Sequence, residues 1–130
     1  MNLKQSRLVT EDVQRLTRFY ETITGAKAEI ISGGYVEFQR NPCAGLAITA
    51  TGTTAGAYGD GVLAANANRS LVLDFEVEDV DGHYARLKNS VDDWVLVPTT
   101  MPWGNRAMLF RDPDGNLINF FSQPNGAGSK

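Results

Sequence analysis

Apolar residues in this chain recur at two different spacings, and the pair of spacings appears twice. Leu3 to Thr10 reads as a strand; after it Val13, Leu16, Phe19, Tyr20 and Ile23 recur every three or four residues, which predicts a helix with one buried face. Asp12 is placed to cap that helix and Gly25 to end it. Three short strands are then expected: Lys27 to Ile31, Tyr35 to Arg40 after the Gly33-Gly34 turn, and Ala44 to Ala50 after Asn41-Pro42. The pattern restarts at Ser70 to Val77, where Leu71, Leu73, Phe75 and Val77 alternate with Val72, Asp74 and Glu76. Asp79-Val80 opens a second helix carrying Val80, Tyr84, Leu87 and Val91, followed by strands at Trp94 to Val97, Asn105 to Arg111 and Asn116 to Ser122.

Each half therefore reads βαβββ. Two copies of one motif, each with its helix on one sheet face, predict an α+β fold: a curved, half-barrel mixed sheet around a cavity, helices on the outer face. The expected layout is a single domain over 1–123, made of modules 3–50 and 70–123. Between them Thr51 to Arg69, rich in Gly, Ala, Thr and Asn and without a clear period, reads as a linker or functional loop that admits a short helix around 58–65. The tail 124–130 has nothing to bury and is expected to be disordered.

Composition narrows the function classes. At 130 residues the chain can bury a core without disulfides or a structural metal. A net charge of -3, with no Lys/Arg run, gives no footprint for nucleic acid. Single Cys43 forms no internal disulfide, no charged-then-apolar leader opens the chain, and no apolar run approaches the roughly 18 residues that span a bilayer. The expectation is a cytoplasmic protein with neither nucleic-acid nor membrane partners, in which the Asn68-Arg69-Ser70 glycosylation triplet is a chance match.

The most informative stretch is Met101 to Phe121, which reads as strand, turn and strand. Pro113 pre-sets φ at the second position of Asp112-Pro113-Asp114-Gly115, and Gly115 can adopt the positive φ that side chains resist. The segment from Trp103 to Gly115, with the helix start from Asp12 to Tyr20, resembles the vicinal-oxygen-chelate superfamily of glyoxalases, bleomycin- and mitomycin-resistance proteins and extradiol dioxygenases. The resemblance covers roughly Gln5 to Gln123. In its metal-dependent members it implies a divalent ion held by His, Gln or Glu on the first, fourth, fifth and eighth strands. Those positions fall here on Gln5, Ala47 or Thr49, Val72 and Asn119. A divalent cation needs carboxylate or imidazole, and amides with aliphatics supply neither. No metal or other cofactor is therefore expected. Sole His83 lies inside the second helix and reads as a helix-surface or helix–sheet residue.

If Gln5, Val72 and Asn119 face the cavity, alternation puts Arg7, Val9, Asp74, Glu76, Leu117 and Phe121 beside them, while Leu71, Leu73, Phe75, Val77, Ile118 and Phe120 face the helices. Trp103, between Pro102 and Gly104, suits either stacking on a flat ligand or packing against a neighbour; Trp103-Gly104-Asn105-Arg106 resembles a segment of the mitomycin-binding branch. Asp74 and Glu76 suit either a cationic ligand or a cross-strand pairing with Arg7 or Arg106. The glycines of the 51–69 loop lack the strand-to-helix setting of a phosphate cradle, Cys43 reads as a small buried residue, and Asp112 and Asp114 are explained by the turn.

The resemblance thus implies a metal-free, homodimeric protein that sequesters a planar aromatic or heterocyclic antibiotic. It has no catalytic residues, and ligand contacts are expected from Trp103, Phe121, Tyr35, Gln5, Asn119, Asp74 and Arg106. Two alternatives stay open: a glyoxalase-like lyase or isomerase, or dioxygenase-like enzyme, with a divalent metal; and an accessory scaffold domain.

Overall fold

The computed structural model describes residues 1–52 and 57–124. Its elements run β1 (Ser6–Thr10), α1 (Val13–Thr24), β2 (Glu29–Ser32), β3 (Tyr35–Phe38), β4 (Leu46–Ala50), β5 (Val72–Glu76), α2 (Val80–Leu87), β6 (Asp93–Thr100), β7 (Arg106–Arg111) and β8 (Leu117–Ser122). The chain divides into two compact units, Met1–Ala67 and Asn68–Lys130, which among the described residues carry a four-stranded mixed sheet each, the first with α1 and the second with α2. The strand orders β1-β4-β3-β2 and β5-β8-β7-β6 are one topology written twice. In each, the first strand pairs parallel with the fourth and the other pairs are antiparallel.

Helix α1 forms where the apolar spacing demands. Asp12 caps it by accepting from the Arg15 N–H at 3.1 Å, and Gly25 closes it at φ 76° with its N–H on the Glu21 carbonyl. Leu16, Tyr20 and Ile23 are buried against β3 and β4, whose Val36, Phe38, Leu46 and Ile48 are buried too. In the second unit Asp79 caps α2 through the Gly82 N–H at 3.0 Å. An aromatic chain of Tyr84, Trp94, Phe110 and Phe120, with neighbouring centroids 5.0–5.4 Å apart, joins that helix to its sheet.

Several boundaries depart from expectation. Val91 is buried but lies past the end of α2 at Leu87; its N–H still bonds the Leu87 carbonyl at 3.1 Å, so its spacing imitates one more helical turn. Leu71 precedes β5 and is 41% exposed rather than packed on the helix. Residues 58–65 form turns and irregular backbone instead of a helix, because Gly59 and Gly61 take φ of 112° and 78°, incompatible with a right-handed helix. Residues 53–56 of the expected linker and 125–130 of the expected tail lie outside the described part. No helix among the described residues is long and apolar enough to cross a membrane.

Candidate functional site

Strand register sorts the side chains of each sheet into a helix-facing and a distal set. In the first unit Arg7 and Val9 stand opposite Ala47 and Thr49, which stand opposite Glu37 and Tyr35 on the other side. Alternation puts these six on the distal face, since Leu8, Val36, Phe38, Leu46 and Ile48 belong to the core under α1. A hydrogen-bonded chain crosses this face. The Gln5 amide donates to the Tyr35 hydroxyl at 2.8 Å, that hydroxyl donates to Glu37 Oε2 at 2.5 Å, and the Gln39 amide donates to Glu37 Oε1 at 3.0 Å. Those two bonds, from Tyr35 first and then Gln39, hold the Glu37 carboxyl below its usual pKa. Desolvation, followed by the bond to Glu37, pushes the Tyr35 phenol up. Arg7 lies over the Tyr58 ring, 5.3 Å from its centroid, and donates to the Tyr58 hydroxyl.

In the second unit Val72, Asp74 and Glu76 stand opposite Leu117, Asn119 and Phe121, and Leu109 stands opposite Asn119 on β8's other side. These form the distal set, because Met108, Phe110, Ile118 and Phe120 are buried on the helix side. The Asn119 amide donates to Asp74 Oδ1 at 3.0 Å. As a carboxylate only accepts, that bond fixes the amide's orientation and leaves Asn119 Oδ1, buried, with no donor among the described residues. A buried, unmatched acceptor costs about 1–3 kcal/mol.

Of the seven expected contact residues, Gln5 and Tyr35 meet directly on the first distal face, and Asn119 and Asp74 meet on the second, with Phe121 on the same face. Trp103 sits in the β6–β7 turn, closed by the Gly104 N–H on the Met101 carbonyl at 2.9 Å, with its side chain 71% exposed. Arg106 lies on the helix-facing side, in register with Ser122 and alternating with Ala107, and makes a two-pronged ion pair with Asp81 of α2 at 2.8 and 3.0 Å. Within the second unit the cross-strand pairing expected of Asp74 or Glu76 with Arg106 is not formed among the described residues: Asp74 takes the Asn119 amide and Arg106 takes Asp81, while in the first unit Arg7 takes Tyr58. Glu37 and Tyr58 were not singled out from sequence. The signal for Glu37 was the alternation Tyr35-Val36-Glu37-Phe38-Gln39, polar on one face and apolar on the other.

The side chains do not suit a divalent ion. Ala47 and Val72 carry no ligating atom, Gln5 and Asn119 offer at most a neutral amide oxygen each, and among the described residues no three His, Cys, Asp or Glu side chains cluster as a metal site. His83 packs edge-on against Phe120 at 5.3 Å, and its Nδ1 accepts from the Arg86 guanidinium at 3.0 Å. Burial first, then Arg86, lowers its pKa, so at neutral pH it is an uncharged part of the α2 packing. Buried Cys43 has its thiol pushed up to about 12 by desolvation, which removes it as a nucleophile at neutral pH.

The sequence profile of the Glyoxalase/Bleomycin resistance protein/Dioxygenase superfamily matches residues 2–120. No curated protein matches. Among solved structures, a protein of unknown function from Agrobacterium tumefaciens is 25% identical with a TM-score of 0.78, covering 95% of this chain and 94% of that one. A glyoxalase/bleomycin resistance protein/dioxygenase from Nocardioides is 22% identical, TM-score 0.75, with 97% and 85% covered. A glyoxalase-related enzyme from Fulvimarina pelagi is 18% identical, TM-score 0.78, with 95% and 88% covered. At such identities the latter two speak to fold alone.

Proposed function

The chain belongs to the glyoxalase/bleomycin resistance protein/dioxygenase superfamily, and from that premise we propose that it binds and sequesters a small planar aromatic or heterocyclic molecule, of the kind represented by antibiotics, without a metal ion. The proposal includes a cytoplasmic homodimer. One observation carries the reading: both distal faces present aliphatic and aromatic surface with a few fixed polar groups. Val9 and Tyr35, over buried Ala47 and Thr49, are joined by Gln5 in one unit, and Val72, Leu109, Leu117 and Phe121 by Asn119 in the other. Apolar walls with few directional polar groups are what an organic ligand requires. Trp103, exposed in its turn, adds an indole for stacking. In this reading Gln5, Tyr35, Asp74 and Asn119 orient polar groups of the ligand, while Arg106 acts through Asp81 as a structural tie between α2 and β7.

Thermal-shift measurement against a panel of planar antibiotics and heterocycles tests this. A ligand at 100 times its dissociation constant adds about 2.7 kcal/mol, which raises the midpoint of a domain this size by roughly 10 °C. A panel without any shift, or a shift obtained only with a divalent metal, rejects the proposal.

A further inference from the structure

We infer that the distal face of the first unit selects a planar ligand bearing a cationic N–H group, with Glu37 as its counter-charge. This deepens the binding reading above and rests on it.

Glu37 is a carboxylate held in place yet left electrically uncompensated. Its two hydrogen-bond partners among the described residues, the Tyr35 hydroxyl and the Gln39 amide, are neutral donors. A carboxylate offers about four lone-pair positions, so roughly two remain for a further donor. No Lys or Arg among the described residues forms an ion pair with it; Lys4 acts on it only as a weaker coulombic influence. The cation nearest in register is Arg7, two strands away across Ala47, and its guanidinium is committed to the Tyr58 ring and hydroxyl. The carboxylate is thus oriented, open to solvent and free of any ion pair among the described residues, so an arriving cation can pair with it.

An independent observation lies on the same face. Thr49 stands directly opposite Tyr35, is 1% exposed, and its hydroxyl has no hydrogen-bond partner among the described residues. A ligand N–H that moves the Tyr35 ring aside supplies the missing donor to Thr49, while a neighbouring N–H takes over the Tyr35 hydroxyl's place on Glu37, which keeps its bond from Gln39. The Tyr35 ring offers a face that suits a flat cation. The pattern of an oriented carboxylate, an unmatched hydroxyl acceptor and an aromatic ring calls for donors and positive charge on a planar frame, as in an aminated heteroaromatic.

Isothermal titration calorimetry of the full chain with 9-aminoacridine, protonated and planar at neutral pH, and with acridine, its neutral counterpart, tests the inference. The cation is expected to bind at least about tenfold tighter, and Glu37→Gln to collapse that ratio towards one. Thr49→Val, close in shape, lowers the cation's affinity by a smaller factor. Melting curves confirm that each variant folds; should Glu37→Gln not fold, loss of the ratio in the unmodified chain as salt is raised gives the same answer. Equal affinities, or a ratio that survives Glu37→Gln, overturn the inference and leave planar-ligand binding standing. If neither acridine nor any other planar heterocycle binds, both readings fall.

Discussion

Asp112 shows how much one side chain settles. It is buried, and its carboxylate accepts from the Asp114 N–H at 2.9 Å, the Asn116 N–H at 2.9 Å and the Asn116 amide at 2.8 Å, knotting the β7–β8 turn. Sequence gave the turn through Pro113 and Gly115, whose φ is 89°, but not the burial of the acid, which depends on the strands around it. Asp112→Ala orphans buried donors and is expected to cost about 2–3 kcal/mol in urea denaturation; a loss below about 0.5 kcal/mol contradicts the role given to it. His83 yields a pH prediction. Its folded pKa is lowered, so the unfolded chain binds more protons below about pH 6.5, and stability falls as pH drops from there through the folded value. His83→Gln should flatten that part of the stability–pH curve. Denaturation at several pH values checks it, and an unchanged curve would assign the effect elsewhere. Glu37 and Asp81, both with lowered pKa, act in the separate, more acidic carboxylate window.

At the scale of elements, helix starts were legible because capping is local: Asp12 and Asp79 both cap as their positions foretold. Asp12→Ala should cost about 1 kcal/mol, measured by thermal melting; no change would mean another donor–acceptor pair replaces the cap. Strand ends were less legible. Pairing decides them: Ser70-Leu71 and Leu3 to Gln5 have strand-like composition but fall outside the paired ladders. The face on which Arg106 lies follows from register at β7–β8, where alternation puts it with Met108 and Phe110, and no single-strand pattern foretold its bond to α2. The Trp103 turn was legible, but its indole's surroundings were not. Trp103→Ala should leave the melting temperature nearly unchanged, since an exposed side chain contributes little packing. In the proposed function it lowers affinity for a planar ligand several-fold. A variant that melts much lower would instead show the indole to be a packing residue.

At the scale of the molecule, the twice-written βαβββ pattern gave the α+β architecture, and the two sheets repeat one strand order. Pattern repetition survives errors at individual boundaries, which explains why fold was easier to read than site. The site depends on which polar groups meet across strands: Gln5 finds Tyr35 thirty residues away, and Asn119 finds Asp74 across forty-five. Those meetings fix the orientation of both amides by holding their nitrogens. The central claim is that these sheets hold an organic molecule in place of an ion. Its most direct test is elemental analysis by mass spectrometry after the protein has been incubated with nickel, zinc, manganese and ferrous iron and desalted. The account predicts far less than one metal per chain, and a stoichiometric ion that resists desalting and raises the melting temperature would contradict it.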